Sequence, residues 1–225
     1  MAKFMIVVAA LVGLGAAAAV AAPAKAPANW DGLVQVSSKK LKLVYLQPGA
    51  DFRGYTKVML DPTEVAFHKD WKKNYNSSTR DLSGKVSDRD IQEAVSAGIK
   101  ASNDIFAKAW RDGGYEVVTS PAPDVLRVRT GIVNISVTSP DQRTAGRSHS
   151  FSDTAGDATL IVEARDSLTG ALLGRAVDRR VAGDNTTGWR SSVSNRGDFR
   201  DLVHEWANIS VKGLAQLKAL SPISQ

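Results

Sequence analysis

The sequence predicts an α+β fold, a mainly antiparallel sheet with two helices packed on one face. Three observations carry this prediction. Two segments, Ser87–Asp112 and Asp198–Leu220, repeat apolar residues at helical spacing. Two β-prone runs, Asp157–Arg165 and Ala171–Arg180, flank Asp166-Ser-Leu-Thr-Gly170 and read as a hairpin. Asp124–Val137 reads as one long strand.

The 225-residue chain opens with Lys3, an apolar run from Phe4 to Val20, and then Ala21-Ala22-Pro23. A basic start, an apolar middle and small residues at the end form the pattern of a secretory signal peptide. Ala19 and Ala21 provide the small side chains that a signal peptidase reads, so residues 1–21 are expected to be removed after Ala21. The apolar run is 17 residues, the lower limit for a spanning helix, and its second half is alanine. Once it is removed, the sequence predicts no transmembrane span. The expected location is the periplasm, with residues 22–29 as an extended leader and residues 30–225 as a single α+β domain.

Along that domain, Leu41–Leu46 reads as a short strand and Pro48-Gly49 as a turn. Tyr55–Leu60 and Thr63–Phe67 are β-prone runs split by Asp61-Pro62, because proline donates no ladder hydrogen bond. His68–Val86 reads as a long surface loop. Ser87 and Asp90 form a capping-box pair that starts the first helix. Ile91, Val95, Ile99, Phe106 and Trp110 make its stripe, and Gly113-Gly114 ends it. Tyr115–Thr119 follows as a strand.

In the long strand, Leu126 and Val128 share one parity, whereas Val133, Ile135 and Val137 share the other. One buried face survives that slip only through a bulge, which glycine places at Gly131. Pro140–Gly156 and Gly183–Gly197 read as polar loops. The closing helix has Asp198 as its cap and Phe199, Leu202, Val203, Trp206, Ile209, Leu214 and Leu217 as its stripe.

Without the signal peptide the chain carries 28 basic and 23 acidic residues. That mild surplus is no nucleic-acid signature. Cysteine is absent, which excludes disulfides, cysteine-ligated zinc, iron–sulfur clusters, a cysteine nucleophile and thioether lipid attachment. His204-Glu205 starts a zinc-helix pattern, but Asn208 stands where the second histidine is required. No nucleophile elbow, phosphate-cradling loop or cofactor motif occurs. Asp51, Asp61, Glu163 and Asp166 provide carboxylates without selecting a catalytic pair.

The arginines form the more suggestive set. Arg127 and Arg129 share one strand parity, and Arg175 and Arg179 another. With helices on the opposite face, these four guanidinium groups are a candidate anion-binding set. The alternative is cross-strand pairing with Glu163 or Asp178.

Four segments in order resemble a bacterial family, domain of unknown function 3313. They are Trp30-Asp-Gly-Leu33, Pro48 through Phe67, Ala122-Pro-Asp-Val-Leu126-Arg-Val-Arg129 and Asp166-Ser-Leu-Thr-Gly170. The resemblance implies an exported envelope protein without established activity, in a family with many lipoproteins. This chain has no cysteine to take a lipid, so it is expected not to be a lipoprotein. The expected function is non-enzymatic: an envelope binding or assembly module whose partner is an envelope protein or an anionic envelope ligand. The alternatives are a periplasmic hydrolase using His149, Asp51 or Glu163, and a structural oligomer subunit.

Overall fold

The structure is a computed structural model, and it describes residues 26–79, 84–138, 149–152, 154–183 and 188–224. The expected signal peptide, the first residues of the leader and most of the loop expected after Pro140 lie outside these residues. In chain order the elements are β1 (Asn29–Trp30), β2 (Leu33–Val36), β3 (Leu43–Leu46), β4 (Lys57–Leu60), β5 (Glu64–Phe67), α1 (Trp71–Ser78), α2 (Asp88–Asp112) and β6 (Glu116–Val118). They continue with β7 (Val125–Val137), β8 (His149–Ser152), β9 (Gly156–Asp166), β10 (Leu172–Ala182), β11 (Gly188–Ser191) and α3 (Ser192–Leu220).

The fold is α+β, as the sequence predicts, but its sheet is mixed. The strand order is β1-β2-β3-β10-β9-β7-β4-β6, with β5 also beside β7. β4 runs parallel to both β6 and β7, and β5 runs parallel to β7. A tight hairpin makes antiparallel neighbours, whereas α2 lies between β5 and β6 in the chain and allows a parallel return. Pro62 interrupts the β4–β5 run, and the Thr63 amide donates instead to Asn103 Oδ1 of α2 at 2.8 Å. The chain thus steps from one stretch of the β7 edge to the next.

The described residues contain three helices rather than two. α1 falls within the segment read as a surface loop, where Phe67, Trp71 and Tyr75 recur every four residues. Their rings stack successively at 4.8 and 5.5 Å between centroids. α2 has the expected capping box, with Ser87 Oγ accepting from the Asp90 amide and the Asp90 carboxylate accepting from the Ser87 amide. α3 begins well before Asp198. Ser191 and Ser194 form its capping box, so the cap lies at Ser191 and Gly197 is absorbed into the helix. β8 and β11 pair as a separate ribbon within the two segments read as loops.

Ile105, Phe106 and Trp110 of α2 join Leu202, Trp206 and Leu214 of α3 over Val58, Leu126, Val128, Ile132 and Leu160 of the sheet. Both long helices therefore cover the same face. Trp206 Nε1 donates to the buried Asp178 Oδ2 at 3.0 Å, which fastens α3 to β10.

The bulge in β7 is real, but it lies three residues beyond Gly131. Leu126, Val128, Thr130 and Ile132 are buried, and the phase then changes to Ile135. The β7–β9 register shifts between Val133 and Ser136, with Asn134 at φ +53°. Asparagine tolerates this left-handed backbone through its short polar side chain, so no glycine is needed. Asn134→Val is expected to lose about 1–2 kcal/mol in denaturant unfolding. Asn134→Gly is expected to stay close to the native value.

Candidate functional site

The face away from α2 and α3 is built by strand alternation. Arg127 and Arg129 of β7, Glu163 and Arg165 of β9, and Arg175 and Arg179 of β10 all point there. The four candidate anion-binding arginines thus share one face, as their parity predicts. Each is also bonded to a carboxylate. Arg127 Nε meets Asp61 at 2.9 Å, and Arg129 lies 3.5 Å from Asp61 and 3.4 Å from Glu64. Arg175 meets Glu163 at 2.8 Å and Asp31 at 2.7 Å. Arg179 meets Asp157 at 2.9 Å. An anion entering here displaces a carboxylate at every one of the four positions.

Glu163 is the centre of this lattice. Its Oε2 accepts from Arg165 Nε at 2.9 Å, its Oε1 accepts from Arg175 Nε and Nη2, and Arg129 stands 3.9 Å away. Burial works to raise its pKa. The hydrogen bonds and charges of Arg175 and Arg165 together outweigh burial and hold the carboxyl below the usual glutamate range. Arg175 is the most enclosed cation, its side chain 10% exposed, with Trp30 stacked 4.2 Å from its guanidinium carbon. Asp178, the other expected partner, faces the core instead, where Arg180 Nε donates to it at 2.6 Å.

The remaining sequence candidates do not converge. Asp51 is clamped by Arg53 in its own turn, whose side-chain and backbone hydrogen bonds lower its pKa to about 2. Asp166 closes the β9–β10 turn by accepting from the Thr169 and Leu168 amides, and it also accepts from the Tyr55 hydroxyl at 2.9 Å. His204 is exposed on α3, and His149 belongs to β8. Among the described residues no group of three or more histidines and carboxylates is placed to hold a metal ion.

A cleft that sequence reasoning missed opens where α1 meets this face. Its volume is about 470 Å³, and it is lined by His68, Trp71, Asn74, Tyr75, Ser78, Ser136 and Arg179. Trp71, Asn74, Tyr75 and Ser78 form one face of α1, at helical spacing. Trp71 is fixed by its Nε1 donating to the Val137 carbonyl at 3.1 Å. Arg179 reaches the cleft from β10 with its side chain 64% exposed. The four-residue aromatic period of 67, 71 and 75 was the available signal, obscured by the polar residues around it. Trp71 is itself buried and stacked with both Phe67 and Tyr75, so such a cleft can receive a planar or ring-shaped group beside Tyr75 and hydrogen-bond it through the amide and hydroxyls, while a negative charge reaches Arg179 by displacing Asp157.

Several solved structures resemble the chain at low identity. The PelC dodecamer from Paraburkholderia phytofirmans is 14% identical with a TM-score of 0.33, over 75% of this chain and 96% of that one. XCC0632 from Xanthomonas campestris, family DUF330, is 10% identical with a TM-score of 0.41, over 77% and 91%. A minor lipoprotein from Acinetobacter baumannii is 9% identical with a TM-score of 0.33, over 72% and 94%. These likenesses are too distant to carry an activity or an assembly across. No curated protein matches the sequence. The model of the protein family of unknown function DUF3313 matches residues 23–209, a span that holds the ordered segments around Asp51, Asp61, Leu126 and Asp166, and the chain belongs to that family.

Proposed function

We propose that this protein is exported to the cell envelope and acts there as a non-enzymatic binding or assembly module, with the α1 cleft as its recognition site. The observation that carries this reading is the composition of the cleft. Aromatic rings, an amide, three hydroxyls and one guanidinium converge, and no carboxylate is among the described lining residues that accompany His68. A hydrolytic centre needs a nucleophile, a base and an orienting group within mutual hydrogen-bond reach. Recognition needs only a concave surface and a few placed polar groups.

The signal-peptide pattern supports an envelope location, and among the described residues no helix is long and apolar enough to cross a membrane. Of the four arginines, Arg179 has the place best suited to an acidic group, because its exposed end lines the cleft. The test uses immobilised chain from Ala22 onward and its Tyr75→Ala/Arg179→Ala variant, each exposed to envelope extract. A species held by the native chain and depleted at least about tenfold on the variant is expected, the loss that follows from about 1.4 kcal/mol of binding energy. Equal retention on both columns sinks the cleft as the site.

A further inference from the structure

We infer that the ligand of the α1 cleft is an uncharged saccharide, with one pyranose ring against Tyr75 and its hydroxyls on Asn74, Ser136 and Arg179. The inference rests on the reading of the cleft as the recognition site and narrows that reading to one ligand class. The balance of charge is the first reason. Arg179 gives both Nε and Nη2 to one oxygen, Asp157 Oδ1, at 3.0 and 2.9 Å. Asp157 thus already neutralises the one guanidinium among the described lining residues, and an anion gains from it only by leaving Asp157 without its partner. Arg179 Nη1 has no bond among the described residues, so a neutral oxygen can accept from it with the ion pair intact. His68 adds no fixed charge. Its Nδ1 accepts from the Asp70 amide at 3.3 Å, which leaves the ring proton on Nε2 as a neutral donor.

The polar groups are the second reason. Asn74 is exposed, and its side-chain amide makes no hydrogen bond among the described residues. The same holds for Ser136 Oγ. Ser78 Oγ donates to the Tyr75 carbonyl at 2.8 Å and keeps its lone pairs for accepting. Amides and hydroxyls both donate and accept. They match a ligand whose substituents do the same at successive ring positions, which describes a sugar rather than an aromatic ring or an acyl chain.

The aromatic wall is the third reason. Phe67, Trp71 and Tyr75 stack with interplanar angles of 29° and 27°, and Trp71 is buried between its two neighbours. The helix therefore offers the cleft one ring, while Ser136 of β7 and Arg179 of β10 offer polar atoms from the sheet. A flat aromatic such as a nucleobase gains most when both of its faces are covered, and the phosphate of a nucleotide also needs an uncompensated cation. A pyranose needs one ring only. Its slightly positive C–H face lies on the negative face of the tyrosine, and its edge hydroxyls reach the polar atoms. At about 470 Å³ the cleft has room for a short oligosaccharide.

The test titrates the chain from Ala22 onward with uncharged trisaccharides of glucose, galactose, mannose and N-acetylglucosamine, and beside them with trigalacturonate and adenosine monophosphate. At least one uncharged trisaccharide is expected to bind with a Kd in roughly the millimolar range or tighter, and added salt should leave that affinity unchanged. Tyr75→Ala is expected to weaken it at least about tenfold. Tyr75→Phe keeps the ring, and Lys100→Gln lies on the exposed face of α2; both are expected to bind nearly as the native chain does. Thermal unfolding of each variant checks that it is folded. The inference falls if no uncharged trisaccharide binds, if only trigalacturonate or adenosine monophosphate binds, or if sugar binding survives in Tyr75→Ala/Arg179→Ala. In the first two cases the cleft still stands as the site when that variant loses the species held from envelope extract, so the two failures are told apart.

Discussion

Gly156→Ala is expected to destabilise the protein by on the order of 3 kcal/mol or more, lowering the melting temperature by roughly 10 °C for a chain of this size. Two costs coincide at this position. Its φ of +139° is a backbone conformation that side chains rarely adopt. A Cβ added there would also lie 1.9 Å from the Ser136 carbonyl oxygen and 3.1 Å from Phe199 Cζ. The oxygen belongs to β7, whose ladder continues through Val137 opposite Gly156, while Ala182 of β10 holds the other side. Neither neighbour retreats without breaking ladder bonds. Gly170, at φ +73° with open space around it, provides the contrast. Alanine there should cost only the backbone preference, about 1–2 kcal/mol. Denaturant unfolding of the two variants should rank them clearly, and a Gly156→Ala protein as stable as Gly170→Ala would contradict the close approach.

Glu163→Gln is expected to cost about 2–4 kcal/mol at neutral pH, because it leaves Arg175 and Arg165 partly buried around an uncharged group. The effect should depend on pH in a defined direction. The folded carboxyl titrates below its ordinary value of 4.5, so the unfolded chain binds this proton more readily. The stabilisation is therefore complete above the unfolded pKa and disappears as pH falls through the lower folded value. Unfolding free energies of native and Glu163→Gln proteins should differ most near pH 7 and converge in acid, as pH falls through the lowered folded value. A constant difference across that range would mean that the charge of Glu163 is not what holds the lattice.

The parts legible in the sequence were those written in local patterns. The α2 cap at Ser87 and Asp90, the turn at Asp166–Gly170 and the shared face of the arginines all follow from spacing within a few residues. The bulge was legible as a parity change between Val128 and Val133, but its position was not. Asn134 and Gly131 both suit such a site, and only the pairing partners on β9 decide between them. The start of α3 was misplaced because Asp198 is the better-known cap, whereas Ser191 and Ser194 satisfy each other, with the cap at Ser191 about two turns earlier.

Long-range choices were the hidden part. The parallel pairing of β4 and β5 with β7 depends on where α2 returns the chain, which no local period records. The pairing of Glu163 with three arginines was foreseeable only as an alternative to an open anion site. The two readings differ in tertiary distances, and the sequence contains none of those. The α1 cleft was missed because its aromatic period sits among lysines and asparagines that favour a loop assignment.

The lengths of the strands have a consequence for how the chain survives at high concentration. β7, β9 and β10, at 13, 11 and 11 residues, are the segments most able to recruit another chain edge to edge; β7 and β9 lie between strands, whereas β10 has β3 beside it only from Gly174 to Val177. The sheet begins at β1 with two residues and ends at β6 with three. These two ends present few unpaired amides and carbonyls, and the stretch of β10 beyond β3 carries Asp178, Arg179 and Arg180, charged side chains of the kind that discourage edge pairing. Folded molecules are therefore guarded from one another by short strands at the ends of the sheet and by charge along β10, and the hazard of self-association is greatest before the long strands have found each other.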